Sequence, residues 1–388
     1  MSPGRSDPPS PAELRDLFLL RPDVVFLNHG SYGACPRPVL DAYQRWQLEL
    51  ERQPVEFLHY RFKGLMRSAR EGLAAYVGAD PDEVVYVPNS TTGLNIVARA
   101  LPLGPADEVL ATDHEYGALD RTWRFICARR GARYVRAPLS IPFESPEQIV
   151  ETVWAHVTER TRVLFMSHIT SPTALILPVE ALVRRARRSG ILTVIDGAHA
   201  PGQIPLALGN LGADFYAGNC HKWMCAPKGS AFLYARREIQ GLLSPLVVSW
   251  GWPSTFVEEQ EWQGTRDIAA FLAVPDAIEF LRKHNWAAVR QACHVLAHTA
   301  RTALVSLSGL PPLSPDSPVW YAQMFSVRLP LSDAERARRR LWAEFGIEAP
   351  IMSWNGWCLL RVSIQGYNSR ADVDALITAV AGLLSKEG

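Results

Sequence analysis

Residues 191–202, ILTVIDGAHAPG, and residues 215–223, FYAGNCHKW, decide the fold. Each opens as a short apolar run and ends on ionisable chemistry: Asp196 closes the first run, and Asn219, His221 and Lys222 close the second. Working outward, the same texture recurs from about Asp82 to Tyr234. EVVYV (83–87) leads into TTGLNIVARAL (91–101), and DEVLAT (107–112) is followed by a basic segment. RVLFMS (162–167) and SAFLYA (230–235) complete the series. Alternating β-branched runs and amphipathic stretches predict an α/β fold in three layers, αβα, with a mainly parallel sheet between helices. In such sheets ligands collect beyond the carboxyl ends of the strands. The polar residues cluster there: Asn89 to Thr92 after VVYV, His114 after VLAT, Ser167 and His168 after RVLF, Asp196, and Asn219 to Lys222. A random scatter would not choose the same end of each successive strand, so these residues are expected to share one site.

Beyond Thr265 the texture changes to longer helical stretches, expected over Ala269 to Leu281 and Trp286 to Leu307, with proline-rich punctuation from Pro311 to Pro318. MFSVRL (324–329) and CLLRVS (358–363) read as strands, and a last helix is expected from Ser369 or Ala371. The expected organisation is a large domain over 26–264, a smaller α+β C-terminal domain over 265–388, and an N-terminal segment, 1–25, packing with the small domain. The Pro- and Ser-rich residues 2–11 read as a frayed start.

Bulk properties exclude several classes. Forty Lys plus Arg against 39 Asp plus Glu give a formal charge of +1 over 388 residues, which leaves no electrostatic footprint for nucleic acid or an anionic membrane surface. The opening MSPGRSDPPSPAELRD has no apolar core of signal type, and no apolar run reaches the length of a bilayer span, so a cytoplasmic location is expected. Six scattered cysteines in a chain of this size read as reduced thiols, and no zinc spacing appears, so no metal is expected. A small-molecule partner remains.

Lys222 and Asp196 meet the two needs of pyridoxal 5'-phosphate (PLP): an amine that forms an imine, and a carboxylate that keeps the pyridine nitrogen protonated so that the ring withdraws electrons. A lysine placed just after an apolar run is expected to be partly enclosed, with its pKa depressed toward nucleophilicity. From FLNHGSYG (26–33) through RVSIQGYN (361–368) the chain resembles the class V aminotransferase family of fold-type-I PLP enzymes. Within that family it is most similar to the isopenicillin-N-epimerase-like branch, which neighbours cysteine desulfurases and carbon–sulfur lyases.

The resemblance implies roles for individual residues. Lys222 carries the cofactor as a Schiff base, Asp196 partners the pyridinium nitrogen and His199 bonds the phenolic oxygen. Thr91 and Thr92, at a helix start that suits an anion, bind phosphate together with Asn219 and His221. His114 stacks on the ring, with Tyr116 as a rival. Thr265 reaches the phosphate of a neighbouring subunit, which implies a homodimer with shared sites. Arg361 clamps the substrate's α-carboxylate through a two-pronged pair of hydrogen bonds, and Asn28, His29 and Tyr32 line the substrate side.

Simpler uses compete. Asp196 is also a good helix cap, Thr91 and Thr92 form an ordinary N-cap run, His199 and His221 compete as hydrogen-bonded core histidines, and Asn28, His29 and Tyr32 also suit a turn around Gly30 and Gly33. The resemblance leaves the reaction open among epimerisation or racemisation at the α-carbon, β-elimination from a cysteine-derived substrate, and aminotransfer; a catalytically silent binding subunit is the reading from another class. Persulfide chemistry is disfavoured, because GIEAPIMSWNGW (346–357) has no cysteine and Cys358 lies in an apolar run. Ser171 stands where desulfurases carry an Asn.

Overall fold

The computed structural model describes residues 8–385. A two-residue strand, β1 (Val25–Phe26), precedes seven strands that form the central sheet: β2 (Val84–Val87), β3 (Glu108–Thr112), β4 (Arg133–Ala137), β5 (Thr161–Ser167), β6 (Leu192–Asp196), β7 (Phe215–Asn219) and β8 (Ala231–Ala235). Their order is β2-β8-β7-β6-β5-β3-β4. The pairings from β4 through β7 are parallel, and β8 runs antiparallel to both β7 and β2.

The apolar runs are nearly continuous because helices cover both faces of this sheet. Side chains alternate between the two cores: Val84, Tyr86, Leu110, Met166, Ile195 and Tyr216 point to one, and Val85, Val87, Val109, Phe165, Val194 and Phe215 to the other. Each such side chain contributes about 1.5–3 kcal/mol on full burial. Slipping a strand by one residue would exchange the two sets, so the register is strongly held. That register carries Ser167 opposite Asp196 at the carboxyl ends of β5 and β6.

The C-terminal part adds β9 (Met324–Leu329), β10 (Ile347–Glu348), β11 (Ile351–Trp354) and β12 (Trp357–Ser363). A smaller antiparallel sheet has the order β11-β12-β9, backed by the helices Trp286–Ser308, Ala334–Phe345 and Arg370–Leu384. β1 pairs in parallel with β10, and Phe18 packs on Tyr367 at 4.9 Å, so the N-terminal segment lies on the C-terminal body. Of the start expected to be frayed, residues 2–7 lie outside the described residues; Ser10 caps the short helix Pro11–Arg15.

Two local differences from the expected elements have plain causes. The helix expected over 269–281 is two helices, Ala269–Leu272 and Val274–Lys283, because Pro275 lacks an N–H and fits only the first turn of the second. The stretch 346–357, where no strand was expected, contains over Ile351–Trp354 the first arm of a hairpin. Asn355 and Gly356 both adopt positive φ (44° and 79°), the pair that a two-residue turn between β11 and β12 demands.

Candidate active site

The carboxyl ends of β2, β3, β5, β6 and β7 surround a cavity of about 460 Å³, closed on one side by Arg361 of β12 and by Ser31 and Tyr32. Another concavity of similar size, walled by Leu177, Pro178, Pro205 and Leu206, gathers no comparable set of ionisable groups. The chemistry is therefore at the strand ends.

Lys222 lies in the turn after β7 and is held from behind. His29 bonds Tyr367 Oη through Nδ1 (2.9 Å), and its Nε2 lies 3.0 Å from the Lys222 carbonyl, which can only accept. Gly33 packs so tightly on this backbone that a Cβ would stand 1.9 Å from the His221 carbonyl oxygen. The lysine Nζ then meets His199 Nε2 at 3.2 Å. The Trp223 indole, which can only donate, gives its N–H to His199 Nδ1 at 3.4 Å, so His199 carries its own proton on Nε2. Burial, reinforced by Lys222, holds His199 well below its ordinary pKa and hence neutral.

The charges of Lys222 and Asp196 are tuned together. Burial, with help from the Arg361 guanidinium, pulls Lys222 down to about 7, and Asp196 opposes this. Burial raises Asp196 to about 6, against the Ala198 N–H, which donates to its Oδ1 at 2.9 Å, and against Lys222. An amine poised to lose its proton near neutrality faces the same cavity as a carboxylate that ionises when a cation approaches.

At the far end the helix Ser90–Ala100 points its N-terminus at the cavity. Asn89 caps it, accepting from Thr92 N (2.8 Å) and Thr92 Oγ1 (3.1 Å). Asn219 Oδ1 accepts from Ser90 N at 2.9 Å and so ties the end of β7 to this helix. Ser90 Oγ is buried without a hydrogen-bond partner, and His221 turns Nδ1 to the Ser230 carbonyl (3.0 Å). Orphaned donors at a helix N-terminus fit an anion such as a phosphate.

Across the cavity, Arg361 donates through Nη1 to Ser171 O (2.8 Å) and Oγ (3.3 Å) and through Nη2 to Ser31 Oγ (2.9 Å). Its Nε is buried and unpartnered, and burial lowers its pKa to about 10. No carboxylate among the described residues is within ion-pair distance of it. A buried guanidinium with spare donors is set for an incoming anion.

Of the residues expected from sequence, Lys222, Asp196, His199, Asn219, His221, Thr91, Tyr116, Tyr32 and Arg361 line this one cavity. Four do not. Thr92 spends its hydroxyl on Asn89. His114 is fully buried with Nδ1 on Thr173 Oγ1 (2.8 Å), Nε2 on Leu139 O (3.2 Å) and its ring against Trp354, so the ring facing the cavity is Tyr116. His29 stands behind Lys222, and Asn28 stands behind Ser31, accepting its hydroxyl at 2.5 Å. Thr265 is exposed and outside its own chain's cavity. Ser31, Ser90, which was grouped with Asn89 to Thr92 but given no role, and Lys228 also line the site. The first two adjoin residues that were singled out, and a lone hydroxyl gives no signal of its own.

Fold and site together define an α/β enzyme built around a buried lysine and a carboxylate at neighbouring strand ends. The chain belongs to the aminotransferase class-V family, whose family model matches residues 25–376. It is 37% identical to isopenicillin N epimerase of Amycolatopsis lactamdurans, covering 96% of this chain and 98% of that one. To an L-cysteine desulfhydrase of Arabidopsis thaliana it is 29% identical, covering 94% and 88%. Among solved structures, the fold matches that of C-DES, a lysine-to-alanine variant with glycine covalently linked to the PLP cofactor. The TM-score is 0.82 at 22% identity, with 95% and 98% coverage.

Proposed function

We propose that the protein is a PLP enzyme that moves a proton at the α-carbon of an amino acid, an epimerase or racemase akin to isopenicillin N epimerase. The observation that carries this reading is Lys222 Nζ, buried in one cavity with Asp196 and His199, opposite a guanidinium that has no acid partner. The orphaned Ser90 Oγ and the helix N-terminus fit the cofactor's phosphate, and Asp196 fits its ring nitrogen. When bound there, PLP withdraws electrons from the α-carbon of an attached amino acid.

The chain's own residues do the rest. Lys222 would be the amine that holds the cofactor's aldehyde carbon, and its Nζ would be the base on its side of the substrate's α-carbon. Asp196 holds a proton on the ring nitrogen, and His199, with its proton on Nε2, donates toward the phenolic oxygen. Thr91, Ser90 and His221 hold the phosphate, and Tyr116 covers the ring. Arg361, fixed by Ser31 and Ser171, grips the α-carboxylate and sets which bond at the α-carbon stands perpendicular to the ring. Epimerisation needs a proton carrier opposite Lys222; the phenols of Tyr116 and Tyr32 line the same cavity and are the candidates we put to test.

The proposal includes a homodimer in the cytoplasm, with Thr265 of one subunit reaching the phosphate held by its partner. Thr265 is exposed and outside its own cavity, and an apolar stretch around Trp250 is exposed nearby in sequence.

The reaction is tested by loading the protein with PLP and offering isopenicillin N and a panel of amino acids in deuterated water. Exchange of the α-proton without release of pyruvate is the expected result. Pyruvate and ammonia from cysteine or cystine would replace the reading with carbon–sulfur cleavage, for which the desulfhydrase relative speaks. A protein that takes up no cofactor would be a silent binding subunit.

A further inference from the structure

β3, β5 and β6 lie side by side in the sheet, and the chain leaving β3 turns back over their ends. That turn buries Glu115. Its Oε1 accepts from Thr112 Oγ1 at 2.6 Å, and its Oε2 accepts from Ser167 Oγ at 2.6 Å. Ser167 is the register partner of Asp196, and both line the cavity. No Lys, Arg or His among the described residues is within ion-pair distance of Glu115. A carboxyl buried without a cation is costly, and two hydroxyls only partly offset that cost.

We infer that Glu115 is a positioning residue of the site, which acts through Ser167 and Asp196 to set the proton affinity of Lys222 and of the cofactor's ring nitrogen. This rests on the PLP reading above. Ionised, Glu115 accepts both hydroxyl protons, so Ser167 turns lone pairs toward the cavity and a second negative charge stands behind Asp196. Protonated, it donates to one hydroxyl, and Ser167 is free to turn its own hydrogen to the cavity.

Burial pushes Glu115 up to about 7, the two hydroxyls pull it down, and Asp196 pushes it up again, so both states are within reach near neutrality. From β6 comes Asp196, with Lys222 beyond it. From β4 comes the Tyr134 phenol, itself raised by burial and by Glu115, with Asp120 and Arg136 beside it. On the same turn His114 is held low by burial and bonded to Thr173. Two carboxyls this close titrate as a pair, and a cation next to Asp196 favours the doubly ionised form.

The test follows the visible absorbance of bound PLP against pH in the native protein, Glu115→Gln, Glu115→Asp and Ser167→Ala. Removing the second negative charge leaves the cationic form of the bound cofactor less supported. The midpoint is therefore expected to fall by about 0.5–1 pH unit in Glu115→Gln, with the pH profile of α-proton exchange moving alongside and Glu115→Asp recovering part of the shift. An unchanged midpoint in a Glu115→Gln protein that binds PLP overturns the inference. Should circular dichroism show that variant unfolded, Ser167→Ala carries the test: losing that hydrogen bond keeps Glu115 protonated, so a downward shift is expected and none overturns it. A native protein that takes up no PLP would sink the cofactor reading itself, and this inference with it.

Discussion

The titration of Lys222 is a competition between burial and two charged neighbours. Burial and Arg361 favour the neutral amine, and Asp196 favours the ammonium. Because the neutral amine is the nucleophile, capture of PLP by the apoprotein should speed up as pH rises and level off above a midpoint near 7. Arg361→Leu removes a positive neighbour, so its midpoint should move upward; rapid-mixing absorbance at a series of pH values reads both, and an unmoved midpoint would disprove the coupling. Arg361→Lys keeps the charge and loses the fork. It should leave cofactor uptake intact and lower kcat/KM for α-proton exchange by about 100-fold, roughly 2–3 kcal/mol of carboxylate binding. At this scale the places of Lys222 and Asp196 in the cavity were legible from the apolar runs that they close, and that of Arg361 from the family resemblance. The choice between His114 and Tyr116 was not. They are two residues apart, a spacing that puts both on one side of a strand, but the chain turns after Thr112 and sends one ring to Trp354 and the other to the cavity. Only the geometry of that turn distinguishes them.

Elements place these side chains by a few close approaches. The turn that follows the short helix His29–Tyr32 lies against the backbone of His221 and Lys222, and it does so because Gly33 has φ +69° and no Cβ. Gly33→Ala should destabilise the protein by about 2–4 kcal/mol, through strain at positive φ and a backbone clash that has no flexible atom to yield. Urea unfolding checks the stability, and a weakened affinity for PLP checks that the Lys222 turn has moved. The helix Ser90–Ala100 makes a second case. Asn89→Ala should cost about 1 kcal/mol as a lost cap and should weaken PLP binding more than it lowers Tm, because the freed amides are the ones facing the phosphate. Equilibrium dialysis beside thermal melting separates the two effects. The strands and the carboxyl-end site were readable from the short apolar, β-branched runs and the polar residues that end them. The β11–β12 hairpin was missed, because the run before the turn is short and mixed in character and Asn355-Gly356 alone marks it.

The whole molecule leaves uncovered what a single chain has no means to cover. Val248 is 67% exposed, Trp250 94% and Trp252 55%, in the stretch between Arg237–Leu242 and Phe256–Glu261. Large apolar side chains so close together in sequence are unfavourable in water, and the proposed dimer would cover them. Composition gave no hint of this, because a tryptophan destined for an interface looks like one destined for a core. If the surface meets a second copy and Thr265 crosses with it, each site takes Lys222 from one subunit and Thr265 from the other. That arrangement has a consequence no single variant tests. Lys222→Ala alone should bind no PLP covalently, and Thr265→Arg alone should bind it poorly, with a bulky cation where a hydroxyl belongs. In a mixed dimer of the two variants, one site combines the intact Lys222 of one chain with the intact Thr265 of the other. Co-expression with two affinity tags, followed by borohydride reduction and a count of fixed cofactor, should give about one PLP per mixed dimer, above both parent variants. A mixed dimer that fixes no more cofactor than its Thr265→Arg parent would mean that each chain builds its site alone.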